Sequence, residues 1–188
     1  MESRLTSLFF RLGRGRVVGA FALLTLLSQA TMRVMLSRLG ADTLRLQLTF
    51  SSEGFLAILG RWGRMGTSVY MSHFWLDFAH PFLYSVFFAA LTAWLSGRSR
   101  QNPPGTFFLA LFAMPFLAGA CDLMENVIHV LMIEAVLPVS DPLVFASGTA
   151  SAAKWLLLLA SALVCLALAG KRIAVAATKK GEDRPHGV

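Results

Sequence analysis

Charged residues are scarce in this chain, and cysteines are scarcer still. Only 14% of the 188 residues are Asp, Glu, Lys or Arg, whereas 56% are hydrophobic. That balance excludes a disordered chain, which needs high charge and low hydrophobicity, and it excludes an ordinary soluble domain. The two cysteines, Cys121 and Cys165, both lie inside apolar runs. They therefore indicate neither a disulfide framework nor a zinc site.

The sequence also lacks a nucleic-acid-binding motif, although its formal net charge is +7. We therefore expect no nucleic-acid partner and attribute the basic residues to membrane topology. A chain of this length has room for one helical domain and none for a nucleotide-binding domain beside it.

Long apolar segments are what the sequence does contain. Four of them, at about 17–36, 69–95, 106–137 and 147–170, reach the length of roughly 20 residues that a membrane-spanning helix needs. No alternating barrel pattern is present, and a helix satisfies its own backbone groups within hydrocarbon. The sequence predicts an all-α fold, an integral membrane four-helix bundle whose membrane domain covers residues 17–170.

A fifth, shorter helix is predicted between the first two spans, at about residues 51–62, with Ser51 as a candidate hydroxyl cap. Its apolar residues recur at helical spacing and would give it an amphipathic face. That face could lie in the membrane interface, with Trp62 as an anchor, or pack on the mouth of the bundle. Glycines are expected to break this helix before the second span, at Gly60, Gly63 and Gly66.

The distribution of Lys and Arg predicts the orientation. Eleven flank the spans on the side of the two termini and five lie on the other side, which places both termini in the cytoplasm of a cell with an inner membrane. Residues 1–16 form a basic cytoplasmic N-terminus, and residues 171–188 a disordered cytoplasmic tail. The alternative for residues 1–30 is a cleaved signal peptide; we expect an uncleaved helix.

Polar and ionisable side chains recur inside the predicted spans. Each such residue is costly in hydrocarbon and needs a partner or a watery cavity. On each span they share one helical stripe: Thr25, Ser28 and Gln29; His73, Asp77, His80 and Tyr84; Asp122, Glu125, Asn126 and His129; Ser147, Ser151 and Lys154. Counted inward from the outer ends of the spans, the four stripes meet at one level. At about 1.5 Å of rise per residue, this level lies roughly 10–18 Å below the outer surface. This predicts one polar pocket in the outer half of the bundle; Glu134, rotated off its stripe, is left out.

Three uses of this pocket remain open. The first is proton transfer, with desolvated carboxylates beside histidine as catalytic groups; the candidates are Asp77, Glu125, Asp122 and His80. The second is binding of a polar head group, or a buried ion-paired network that fixes helix pairing. The candidate ligand-binding residues are Tyr84, Asn126, His129, Lys154 and His73.

The third use is a metal site, formed if present by Asp77, His80, Glu125 and His129. It is not favoured, because Lys154 lies at the same depth and a cation beside a metal is unfavourable. No cofactor is otherwise predicted.

Pro81 is expected to kink the second span, because it removes the amide that would bond the carbonyl of Asp77. The freed carbonyl either faces the pocket or is bonded by a neighbouring helix.

The order Asp77-x-x-His80-Pro81-x-x-Tyr84, then Asp122-x-x-Glu125-Asn126, then Lys154-Trp155 resembles a group of small bacterial four-span membrane proteins of uncharacterised activity. The resemblance runs from the loop helix through the last span. It implies the four-span fold and supplies no activity.

The function that we expect is recognition or modification of a lipid-like small molecule, with membrane lipid as the surrounding partner. The alternative is an accessory or structural subunit of a larger membrane complex or oligomer, in which the polar residues form a buried ion-pair network.

Overall fold

The computed structural model describes residues 4–98 and 101–182, together with the side chains of these residues up to 178. Within these ranges the chain forms helices and no strands, so the predicted all-α class is confirmed. The helices in chain order are α1 (Arg4–Leu12), α2 (Gly15–Met35), α3 (Asp42–Gln47), α4 (Ser52–Ser72), α5 (Phe74–Asp77), α6 (His80–Leu95), α7 (Thr106–Ile133) and α8 (Asp141–Glu182).

Three of the described helices, α2, α7 and α8, are long and apolar enough to cross a membrane. A fourth crossing is made if α4, α5 and α6 are taken as one broken span, bent by 45° at the break. The break falls just before Pro81, at the place where the sequence predicts a kink, since proline removes an amide from the helical ladder.

Helix α7 lies at the centre, packed against α6 on one side and α8 on the other, and α2 packs mainly on α6. The α6–α7 contact is close because Gly119 has no side chain. A Cβ atom at Gly119 would lie 2.6 Å from Oγ of Ser85 and 3.2 Å from the carbonyl oxygen of Pro81. Small residues of this kind are typical of helix pairs that pack in membranes.

The first part of α4 closes one end of the bundle. The hydroxyl of Ser51 caps it by accepting a bond from the amide of Gly54, at 3.2 Å, as the sequence predicts. Phe55 and Ile58 are buried in a core cluster with side chains of α7 and α8. The helix therefore packs on the mouth of the bundle through this face.

Of the three glycines expected to end this helix, only one does so. Gly63 has a φ of 59° and a ψ of −170°, which only glycine adopts readily, whereas Gly60 and Gly66 stay helical. Trp62 is half-buried, with its ring centroid 5.1 Å from that of Tyr70.

The N-terminal segment forms a helix of its own that the sequence analysis did not predict. Phe9 of α1 is buried against Ala93 and Phe112, near one end of α6 and α7. Arg172 of α8 donates to the carbonyl of Trp94 at 3.1 Å. The basic residues of α1 and of the α8 extension therefore lie at the same end of the bundle, opposite to α4.

Two predicted boundaries are wrong at the C-terminal half. The third span ends at Ile133 and not at 137, and α8 begins at Asp141, six residues before the predicted start. Pro142 permits this start, since proline is tolerated in the first turn of a helix. The predicted disordered tail is helical as far as Glu182, and residues 183–188 lie outside the described residues.

Loop contacts hold α3, α4 and α8 together at the α4 end. Oδ1 of Asp141 accepts bonds from the amide and hydroxyl of Ser52, at 2.7 and 2.6 Å. Asp42 of α3 pairs with Arg61 of α4 at 3.2 Å and with Arg45. Desolvation raises the pKa of the Asp42 carboxyl, but the two guanidinium groups outweigh it, so this pKa lies below its usual value.

Candidate functional site

A cavity of about 710 Å³ lies beneath α3 and α4, between α2 and α8. Its base is polar, and its sides are largely apolar and run to exposed positions such as Trp155 on α8. The ionisable groups that line it are Arg33, Tyr70, His73, Asp77, His80, Tyr84, Asp122 and Lys154. All of these except Arg33 are buried. A mixed lining with a polar base is typical of sites for small molecules.

His73 and Asp77 form the first pair in the cavity wall. Nε2 of His73 lies 3.4 Å from Oδ2 of Asp77, and Nδ1 donates to the carbonyl oxygen of Tyr70. A carbonyl oxygen only accepts, so Nδ1 carries a proton. Nε2 is then the ring nitrogen that faces the carboxyl group of Asp77.

His80 contacts α2 through Ser28. Ser28 Oγ lies 3.0 Å from the carbonyl oxygen of Thr25 and 2.7 Å from Nδ1 of His80. We assign the hydroxyl proton to the carbonyl, so that Nδ1 of His80 donates to Oγ. Nε2 of a neutral His80 then carries a lone pair, and this nitrogen has no partner among the described residues. Because His80 lines the cavity, the site contains a Brønsted base.

Lys154 joins the cavity to the interior of the bundle. Its ammonium donates to Oδ1 of Asp122 at 2.8 Å and to Oε2 of Glu125 at 2.6 Å. The hydroxyl of Tyr84 donates to Oδ2 of Asp122 at 3.0 Å. Both carboxylates come from α7, and Lys154 from α8 and Tyr84 from α6 complete a network that ties three helices together.

Three of the predicted site residues lie behind the cavity wall and not on it: Glu125, Asn126 and His129. Nδ1 of His129 lies 3.0 Å from the hydroxyl of Tyr70. The amide of Asn126 donates to the carbonyl of Asp77 at 3.2 Å. This carbonyl is the one that Pro81 frees, so it is bonded by a neighbouring helix and does not face the cavity.

The four residues of the metal hypothesis each have a separate partner. Asp77 contacts His73, His80 contacts Ser28, Glu125 contacts Lys154 and His129 contacts Tyr70. In residues 4–98 and 101–182, no group of three His, Cys, Asp or Glu side chains is arranged to hold a metal ion.

Sequence reasoning missed five polar residues of the cavity lining: Arg33, Ser37, Thr43, Gln47 and Tyr70. Tyr70 lies three residues before His73 and seven before Asp77, so the helical stripe that identified those two could have been extended to it. Arg33 lies inside the predicted first span and in the last turn of α2, where a single arginine indicates topology and not a site. The apolar lining carries no sequence signal, because its residues are of the same kind as those that face lipid.

The chain matches no family model, no curated protein and no solved structure. The assignment of function therefore rests on the geometry of the cavity.

Proposed function

We propose that this chain is a four-span protein of the cell's inner membrane, with both termini in the cytoplasm. The support is the position of the basic residues. Arg4, Arg11, Arg14 and Arg16 lie at the end of the bundle where Arg172 contacts α6, and such an excess is typical of the cytoplasmic side. The α4 end and the cavity beneath it then belong to the outer half of the membrane.

The function that we propose for the cavity is binding of a lipid-like small molecule. The observation that supports this proposal is that the polar base of the cavity is continuous with an apolar side wall. His73, Asp77 and His80 line the base, while Phe88 and Leu158 line the wall on α6 and α8. An amphiphile in this position would place its head group on the polar residues and its tail along the apolar ones.

Entry from the membrane is consistent with the packing of α2. This helix contacts mainly α6, and its lipid-facing side is apolar and exposed, with Leu23 58%, Leu26 68% and Leu27 56% accessible. A molecule dissolved in the bilayer can approach between α2 and α8 without crossing a layer of packed side chains.

Photo-crosslinking tests this proposal. A long-chain alcohol with a diazirine in its tail is added to the full-length protein in maltoside micelles, and the labelled peptides are mapped by mass spectrometry. We expect labelling of the cavity-lining parts of α2 and α8. Thr25→Trp, which fills the cavity from α2, should abolish it.

Thr31→Trp is the matched control, because Thr31 is on the same helix but exposed and outside the cavity. Its labelling should equal that of the wild type. Labelling spread evenly over the lipid-facing side of every helix, unchanged in Thr25→Trp, would show that the cavity binds nothing of this class.

A buried structural network is the second candidate use, and it fits the residues behind the wall. Glu125, Asn126 and His129 are each at most 1% exposed and bond to other helices. We assign these three to holding the helices in place and the cavity-lining residues to binding.

A further inference from the structure

The charge balance of the polar base indicates which head group the cavity takes, provided that it binds an amphiphile as proposed above. In the first pair of the base, Nε2 of His73 lies 3.4 Å from Oδ2 of Asp77. With a proton on Nε2 or on the carboxyl group the pair is neutral, and without that proton it carries the negative charge of Asp77, so the pair supplies no net positive charge.

The remaining buried charges do not balance. Lys154 is the one ammonium that contacts both Asp122 and Glu125, so two carboxylates share a single positive charge. In its neutral form His80 adds no charge. With both carboxylates ionised, the cluster has at least one negative charge in excess, and an uncompensated charge within a membrane is costly.

Around Asp122, the hydrogen-bond donors of the base are already in use. Lys154 and Tyr84 both donate to Asp122, and this uses the single proton of the Tyr84 hydroxyl. Acceptors without a partner in the described part of the chain remain at Nε2 of His80 and Oδ1 of Asp77. Behind the wall, Oε1 of Glu125 is buried and also has no partner among those residues. A ligand that fits this base supplies both N–H groups and a positive charge.

We propose that the cavity binds an amphiphile whose head group is a primary ammonium. The ammonium donates to His80, Asp77 and Asp122, and its charge balances the carboxylate that Lys154 leaves uncompensated. A quaternary ammonium has no N–H group and fits less well. The apolar tail lies along Phe88, Leu158 and other apolar residues of the wall.

Arg33 is the other cation on the cavity lining, and it lies at the rim. Its side chain is exposed, on the last turns of α2, so water reaches it and screens its charge. It therefore contributes little to the balance at the base. The chain as a whole carries a net charge of +7, so unspecific electrostatics disfavour a cationic ligand, and any preference for one must arise locally.

Three amphiphiles with the same tail test the head group. Dodecylamine, dodecanol and dodecanoate are titrated at neutral pH into the full-length protein in maltoside micelles, and binding is measured by calorimetry. In the Thr25→Trp variant the cavity is filled, so the heat measured with this variant is the baseline for partition of each amphiphile into the micelle. We expect dodecylammonium to bind at least about tenfold more tightly than dodecanol, and dodecanoate to bind most weakly.

Asp122→Asn and Asp77→Asn should each reduce the preference for the ammonium over the alcohol by about tenfold. Glu134→Gln is the matched control, because it removes an exposed acid at the end of α7 and should leave the preference unchanged. If Asp122→Asn fails to fold, the comparison of the three ligands on the wild type still decides the question.

The two proposals fail in different ways. If dodecanol or dodecanoate binds above the baseline and as tightly as dodecylammonium, the proposed ammonium head group is wrong. The proposed lipid-binding cavity is then still supported. If none of the three exceeds the baseline, the binding function fails, and the head-group proposal fails with it.

Discussion

Among single residues, Lys154 has the largest energetic role. It is 4% exposed, and its ammonium contacts two carboxylates at hydrogen-bond distance. Removal of one partner from a buried ion pair is far more harmful than its net contribution suggests, because the remaining charge is left without compensation. Lys154 therefore stabilises the contact between α7 and α8 as well as the base of the cavity.

Lys154→Met should lower the free energy of unfolding by roughly 3–5 kcal/mol, measured by denaturation with an ionic detergent. Lys171→Met is the control, because Lys171 is exposed on the same helix and its loss should change little. Glu125→Gln in the Lys154→Met background should recover part of the loss. A Lys154→Met protein as stable as the control would mean that the buried carboxylates do not need this ammonium.

The tautomer of His80 can be observed directly. Nitrogen NMR of protein labelled at histidine should show His80 with its proton on Nδ1 in the wild type. Ser28→Ala removes the acceptor on α2 and should shift the population towards the Nε2–H form. A wild-type His80 with its proton on Nε2 would contradict the base that we assign to the cavity.

At the scale of elements, the break in α4 sets the direction of the first part of this helix. Gly63 turns the chain with a positive φ, and this lets the segment from Ser52 to Trp62 lie across the bundle while the rest of α4 leads into the second span. Without the break, one straight helix would carry Phe55 away from the core cluster.

Gly63→Ala should destabilise the protein by roughly 1–3 kcal/mol, because alanine does not adopt this backbone conformation without strain. Gly60→Ala is the matched control. Gly60 is helical, and a Cβ atom there meets nothing within 4 Å, so alanine should leave stability unchanged or raise it slightly. Equal thermal midpoints for the two variants would show that the break is not fixed by Gly63.

At the scale of the whole molecule, the proposed orientation of the chain can be tested at the two ends of the bundle. Alkaline phosphatase fused after Val139 is expected to be active in a bacterial host, because the loop between α7 and α8 would face the periplasm. A fusion after Gly97 should be inactive, since that loop lies at the basic end. The reverse pattern would overturn the orientation and place the cavity in the inner half.

The sequence was sufficient to predict the helical class and the polar cluster, because a buried charge in hydrocarbon must meet a partner. Asp77, Asp122 and Lys154 could be recognised from their spacing and depth alone. What could not be predicted is which of the polar residues face open space. Glu125 and Asp122 share a helical stripe, yet only Asp122 lines the cavity, since this depends on how α2 sits on α6.

The same limit applies to the ends of the helices. Phe9 looks like any apolar residue near a basic N-terminus, and only the surface offered by Ala93 and Phe112 makes it part of the core. The start of α8 at Asp141 depends on its bond with Ser52, a residue that is 89 positions away in the chain. Local sequence patterns contain no information on such partners.

The position of Lys154 on the last helix has a consequence for biosynthesis. The ribosome completes α7, with its two acids, before it reaches the lysine that neutralises them. Because unpaired acids enter a bilayer poorly, α7 should wait at the insertion machinery until α8 emerges, and the two helices should then enter together as a hairpin. A nascent chain that stops shortly after Pro138 should leave α7 open to extraction by alkaline carbonate.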